Sequence, residues 1–404
     1  MKALVTPYSF HWSLHPRIYV APYAKEPIAI DGNIHKKEWE RIPWSSPFDD
    51  IRGEDDVPSP NDRPSPACET KVKMMWDDEY LYIAAILKSD MEVFATYTER
   101  NSPIYHEDSD FEVFVDPASS CHHYKELEMN AINTVWNLML DKPYMDGGQE
   151  FSGRIANPGD DHYYEVDSQK TMVRVLEGTL NNNNVDEKKT QKNTWAVEIA
   201  LSHRDILRYS SGSGFENKER SSQIQPSEGE QWRINFSRVE EKGSINWTWQ
   251  KQQIWDVEES NPAYRGVVDM HQPNVWGYVK FGPPIKDGAS DKIIAEVFGE
   301  VSMDDISTGS AGDPFWPLKL AAMNIYYAQR KMKNLHGYFS SSLDALSGLV
   351  DPKTLAPFGS SVRINVGDGS ESYTAHIECS GRLVSINSDR LMSATNNESL
   401  SKIQ

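Results

Sequence analysis

Between residues 17 and 283 hydrophobic and polar positions mostly alternate in short runs, the period of strands with one face in a core. In KVKMMWDDEYLYIAAILK, Val72, Met74 and Trp76 alternate with polar or exposed positions, and Leu81, Ile83, Ala85 and Leu87 do so on the way back. Asp77-Asp78-Glu79 lies between the two runs, so the stretch predicts a hairpin. In DFEVFVDP, Phe111, Val113 and Val115 take one face while Asp110, Glu112 and Phe114 take the other. HHYKELEMNAINTVWNLMLDKPY predicts two more strands, and TMVRVLEGTL with NTWAVEIAL an interrupted hairpin. QWRINFSRV, NWTWQKQQIWDV and NVWGYVKFGPP close the region. At its start, Ile28-Ala29-Ile30 runs into an Asp31-Gly32 turn and a short helix anchored by Ile34 and Trp39. Many short strands with little helix between them predict a mainly β fold, an antiparallel β-sandwich.

Three stretches break the pattern: the proline- and acid-rich loop at 52–67, a charged insert beginning at Asn181–Asn184, and a serine- and glycine-rich insert at 210–230. The charged insert reads as a mobile tip. Pro283-Pro284 and IKDGASD mark a boundary, dividing the chain into a sandwich at 17–283 and a region at 284–404. Beyond it the period becomes helical: Leu318, Ala321 or Ala322, Ile325, Ala328, Met332 and Leu335 recur on one face, with Gly337 as C-cap. SVRINVG, SYTAHIE and RLVSINS predict two or three further strands, and the tail from Ser393 a frayed end.

Charge narrows the function. Lysine and arginine total 41 against 60 acidic residues, a net charge of -19. A polyanion would be repelled, and the densest basic stretch (Lys188, Lys189, Lys192) is interleaved with polar residues, so nucleic acid is set aside. Cys68, Cys121 and Cys379 are far apart and odd in number, which suits free thiols better than a disulfide framework. The N-terminus has no apolar signal core and no stretch approaches a membrane span. The expected location is therefore a soluble intracellular compartment, or the exterior if a signal precedes the chain.

Several polar and aromatic residues are candidates for chemistry. Asp108, Asp110 and Glu112 share a strand face, either a solvated surface or a hydrogen-bonding floor. Glu126 and Glu128 on a neighbouring strand could come within the separation that glycoside hydrolysis requires, but nothing in the spacing demands it, and no catalytic residue is assigned. Asp77, Asp78, Asp90 and Asp108 are oxygen donors of the type calcium takes, although turn acids are usually exposed. His122 and His123 are adjacent, point to opposite faces of a strand and suit a two-ligand site badly. Trp76, Trp136 and Trp195 read as core; Trp247 and Trp249 share one face, either a two-ring platform or half-buried scaffolding. Asn130, Asn235 and Arg238 interrupt apolar strands, where an amide or a charge needs a partner.

Taken in order, the motifs PIAIDGNIHKKEWERIPW, KVKMMWDDEYLYIAA, IYHEDSDFEVFVDP, YKELEMNAINTVWNLMLDKPY, WAVEIALS, WRINFSRVE and MHQPNVWGYVKF resemble the family 9 carbohydrate-binding modules and related DOMON-like sandwiches. That resemblance implies a non-catalytic, cellulose- or xylan-type carbohydrate-binding domain, serving carbohydrate catabolism beside a separate glycoside hydrolase. It implies a groove in which a sugar lies between aromatic faces while side chains fix its hydroxyls. Carried over residue by residue, Glu112 matches the family's strand glutamate. One tryptophan of the clamp falls at His106, or at Tyr105 with a one-residue slip, and the other near Met270 and His271. A strand arginine falls at Glu128 and a glutamine near Ser237, so the scaffold is kept and the clamp is not. The candidate ligand-binding set is Tyr105, His106, Glu112, Asn130, Asn235, Arg238, Trp247 and Trp249. The resemblance also implies structural calcium. Two other readings are a haem-binding DOMON-like domain using Met270-His271 and Met129, and a structural or interaction domain with a vestigial groove.

Overall fold

The computed structural model describes residues 8–181, 192–210, 225–258, 260–309 and 311–396. The mobility expected of the charged insert, much of the second insert and the last residues of the tail fall outside these. The strands are β1 (Ile18–Tyr23), β2 (Asp49–Asp50), β3 (Thr70–Trp76), β4 (Tyr80–Ser89), β5 (Asp110–Asp116) and β6 (Tyr124–Asn130). They continue with β7 (Val135–Leu140), β8 (Glu150–Ser152), β9 (Lys170–Glu177), β10 (Asn193–Ser202), β11 (Gln231–Glu240) and β12 (Ile245–Thr248). A hairpin, β13 (Gln253–Asp256) and β14 (Ala263–Gly266), precedes β15 (Gly277–Pro284) and the short β16 (Gly299–Glu300). The C-terminal region adds β17 (Val362–Val366), β18 (Tyr373–Cys379), β19 (Arg382–Asn387) and β20 (Met392–Asn396).

One hydrogen-bonded path runs β8-β7-β6-β5-β11-β15-β1-β3-β4-β10-β9 and folds over on itself as a sandwich. Strand β1 makes the turn between layers. It runs parallel to β15 from Ile18 to Ala21 and reaches β3 only where Tyr23 meets Trp76, again in parallel. All other pairings between the named strands are antiparallel, so the predicted antiparallel sandwich stands with one mixed crossing strand.

The alternating residues do what their period demands. Val72, Met74 and Trp76, Leu81, Ile83, Ala85 and Leu87, and Trp195, Val197 and Ile199 form one inner face. Phe111, Val113 and Val115, Leu127 and Met129, and Trp232, Ile234 and Phe236 form the other. Ile34 and Trp39 anchor the entry segment on the far side of β4 and β10, packing against Tyr82, Ala84, Ala196 and Ala200. Buried Glu198 on β10 holds this segment: it accepts hydrogen bonds from the Asp31 and Gly32 amides (2.9 Å each) and from Trp39 Nε1 (2.7 Å). Gly32 at φ 76° makes the turn that brings both amides to one oxygen.

The helix Trp316–His336 packs on β18 and β19, with Leu318, Ala321, Ala322, Ile325, Ala328 and Met332 buried and Gly337 as a left-handed C-cap. Leu335, expected on the apolar face, is 60% exposed in the helix's last turn. The tail expected to fray from Ser393 instead carries β20, whose backbone pairs with β19. The core under this helix also takes in Trp255 and Val257, so the hairpin β13–β14, from the 17–283 portion, packs with the C-terminal region.

Candidate functional site: an acidic groove on the outer face of the sandwich

The outward positions of β5, β6 and β7 form the floor of a cavity of about 330 Å³. Cross-strand register sets two rows. Glu112 pairs with Glu128, which pairs with Trp136; Phe114 pairs with Glu126, which pairs with Leu138. Tyr105 and His106, with ring centroids 3.7 Å apart, form one wall. Tyr144, 47% exposed and set edge-on to His271 at 4.7 Å, also lines the cavity. Arg154 closes one end, its guanidinium 4.8 Å over the Trp136 ring and paired with Glu150.

The walls are fixed from behind. Trp276 Nε1 donates to the Met270 carbonyl (2.7 Å), and Tyr124 Oη shares a hydrogen bond with His271 Nδ1 (3.1 Å). The loop bearing Tyr144 is clamped through Asp146, which pairs with Arg330 and Arg390 and accepts a hydrogen bond from Tyr326. Arg390 also donates to Gln272 (2.9 Å), next to His271. The C-terminal region therefore grips both loops of one groove wall.

Electrostatics single out the floor. Asp110, Glu112, Glu126 and Glu128 are all buried, and none makes an ion pair with a cation among the described residues. Burial raises the carboxyl pKa of each of them, and neighbouring like charges push Asp110, Glu126 and Glu128 further up. Asp110 Oδ1 accepts the Val239 amide (3.0 Å), while Oδ2 has no hydrogen-bond partner.

Of the residues singled out in the sequence, Tyr105, His106 and Glu112 meet in this cavity, which Met270 and His271 also line. The others lie elsewhere, and each has its partner inside the fold. Asn130 donates to Tyr97 O and Asp108 Oδ2 (2.8 Å each) and accepts from the Thr134 amide, tying the β6–β7 turn. Asn235 exchanges hydrogen bonds with the Gln250 backbone (2.8 and 2.9 Å). Arg238, fully buried, pairs with Glu240 and donates to the Cys68 and Lys88 carbonyls, so its acceptors are the protein's own. Trp249 packs in the sandwich core against Phe236 and donates to Glu300 (2.9 Å). Trp247 donates to the Asp62 carbonyl and lines a second hollow of about 550 Å³, which meets the groove at Ile51, Asn246 and Val268. That larger hollow is walled by aspartate–arginine pairs that already satisfy one another, Asp50 with Arg52 and Asp49 with Arg63.

Trp136, read as core, is buried on the groove side instead, while Val135 faces the interior. In VWNLML both faces are largely apolar, with Asn137 on the face of Val135 and Met139, so the period does not tell which face is inward. Tyr144 and Arg154 were not singled out; the Lys-Pro-Tyr turn after a strand was their only trace. Three of the acids proposed for calcium are engaged by protein donors: Asp77 by the Glu79 and Tyr80 amides, Asp90 by Cys68 and Ser65, and Asp108 by the Thr96 and Tyr97 amides and by Asn130. Haem ligation fails on geometry. Met129 lies inside the sandwich while Met270 and His271 lie outside it, on opposite sides of one sheet, so Met129 cannot flank one iron with His271.

No helix among the described residues is long and apolar enough to cross a membrane. A comparison with curated proteins found no match. Among solved structures the chain is similar to a candidate carbohydrate-binding protein from Bacteroides uniformis ATCC 8492, with 13% identity over 66% of this chain and 99% of that one, at a TM-score of 0.44. It is also similar to a family 9 carbohydrate-binding module from Caldicellulosiruptor kristjanssonii in complex with cellotriose, with 14% identity over 68% and 97% of the two chains and a TM-score of 0.36. Residues 30–156, which carry the entry turn, the tryptophan-acidic hairpin and the groove floor, match the family described as "Carbohydrate family 9 binding domain-like".

Proposed function

We propose that the groove over β5, β6 and β7 binds a saccharide without cleaving it. The observation that carries this is that Tyr105, Tyr144 and Trp136 line one cavity together with buried carboxylates and the Arg154 guanidinium. A pyranose offers C–H faces to aromatic rings, and its hydroxyls need fixed acceptors and donors to leave water; Glu112, Glu128 and Arg154 supply both. At about 330 Å³ the cavity sits at the small end of ligand pockets, which favours a chain end or a short oligosaccharide. The family match over the groove floor supports the same class of ligand.

Hydrolysis is disfavoured by arrangement. Glu112 and Glu128 are cross-strand neighbours on one sheet face, so they lie on the same side of any bound sugar. A hydrolase needs its two carboxyl groups flanking the scissile bond. Glycan turnover would then fall to a separate glycoside hydrolase acting on what this domain holds. Crystals soaked with soluble oligosaccharides test the reading: the expected result is sugar density between Tyr105 and Tyr144. Density elsewhere, or binding that survives Tyr144→Ala unchanged, would count against it.

A further inference from the structure

From the groove floor we infer that Asp110, Glu112 and Glu128 form a binding site for a divalent cation, calcium by its chemistry. One carboxylate oxygen from each lies within 4.8 Å of the others. The strands place them: Asp110 and Glu112 are two apart on one face of β5, and Glu128 stands across from Glu112 on β6. All three are buried, Asp110 at 0% exposure. None is paired with lysine, arginine or histidine among the described residues, although buried charges ordinarily are paired or hold metal. Clustering alone would not make a site. The second observation is that Asp110, a member of the cluster, has a fully buried oxygen, Oδ2, without a hydrogen-bond partner while Oδ1 takes the Val239 amide. A proton on that oxygen would leave a buried O–H with no acceptor, whereas a cation would satisfy it.

The donor set selects the ion. Three carboxylates with no nitrogen or sulfur among them suit a hard cation rather than zinc or copper. Oxygens within 4.8 Å of one another can share one ion with metal–oxygen bonds of about 2.4 Å, the calcium range, and a set of buried side chains supplies carboxylates where magnesium usually keeps several waters. Glu112 and Glu128 also line the cavity, so the remaining coordination positions face it and are open to water.

The site shares Glu112 and Glu128 with the saccharide proposal, but its test contains no sugar, so either can fail without the other. The full chain, stripped with chelator, is titrated calorimetrically with calcium chloride and separately with magnesium chloride. The expected result is one saturable calcium site, preferred over magnesium, and weakened at least tenfold by Glu128→Gln and by Asp110→Asn. Asparagine keeps the acceptor for the Val239 amide, so the second variant preserves that contact. Melting gives an independent readout. In chelator, Glu128→Gln should melt at or above the parent, because a like charge has gone. In about 1 mM calcium, the weak end of known calcium modules, the parent should overtake it. No calcium heat and no melting shift in the parent would overturn the inference. So would equal calcium stabilisation of parent and Glu128→Gln, which would place the ion elsewhere.

Discussion

Replacing Arg390 with alanine tests how firmly the C-terminal region holds the groove wall. The Arg390 side chain is 0% exposed, with Nε 2.9 Å from Asp146 Oδ2, Nη1 2.9 Å from Gln272 Oε1 and the guanidinium 4.9 Å from the Tyr326 ring centroid. Breaking a buried pair by removing one partner costs about 3–5 kcal/mol, since the other charge is left stranded. Asp146 keeps Arg330, which is only partly buried, so the expectation is the low end, about 3 kcal/mol. The neighbouring Lys142–Asp389 pair gives the contrast. It is 3.1 Å long, but Asp389 is largely exposed, and removing it should cost about 0–1 kcal/mol. Urea unfolding of Arg390→Ala and Asp389→Ala beside the parent, at matched slopes, measures both. Arg390→Ala within about 1 kcal/mol of the parent would show that the buried pair does not weigh as argued. Because the loops it clamps carry Tyr144 and His271, the same variant should also weaken ligand binding without touching the groove.

Other expectations follow from single contacts. Glu198→Ala strands the Asp31 and Gly32 amides and Trp39 Nε1 together and should cost about 3–5 kcal/mol by chemical denaturation; a loss under 1 would refute the role given to Glu198. Gly32→Ala puts a Cβ 3.0 Å from Met172 Cγ at φ +76° and should destabilise by about 1 kcal/mol or more, read as a lowered melting temperature. Buried His203 is held neutral, its pKa pulled down to about 4 by desolvation. Its contribution to stability is therefore present above its unfolded value near 6.5 and is lost as pH falls from there towards 4. The buried carboxylates run the other way, so the test is the difference between parent and His203→Gln across that window. The variant should lose less stability on acidification, and identical slopes would contradict the assignment.

The sandwich was legible wherever one strand face is apolar and the other polar. The registers of β3, β4 and β5 follow directly from that alternation, and Glu112 came with them. Parity fixes which residues share a face but not which face is inward when both are apolar. Trp136 was therefore placed in the core and lines the groove, while Trp247 and Trp249, read as a platform or as scaffolding, join the core cluster. Asn130, Asn235 and Arg238 show a related limit. A polar group in an apolar strand demands a partner, but composition cannot say whether that partner is a ligand or a backbone carbonyl. In all three cases backbone groups of this chain supply partners. The parallel crossing of β1 and the pairing of β20 depend on backbone hydrogen bonds between segments distant in sequence or weakly hydrophobic, which leave no period to read.

Calorimetric titration with a panel of neutral oligosaccharides decides whether the acidic, ring-lined hollow over β5, β6 and β7 is a saccharide site. The expected result is saturable binding of at least one sugar, weakened about tenfold or more (about 1.4 kcal/mol) by Tyr144→Ala and by Glu112→Gln, with Trp249→Phe close to the parent. Absence of binding across the panel, or affinity indifferent to both groove substitutions, would contradict it.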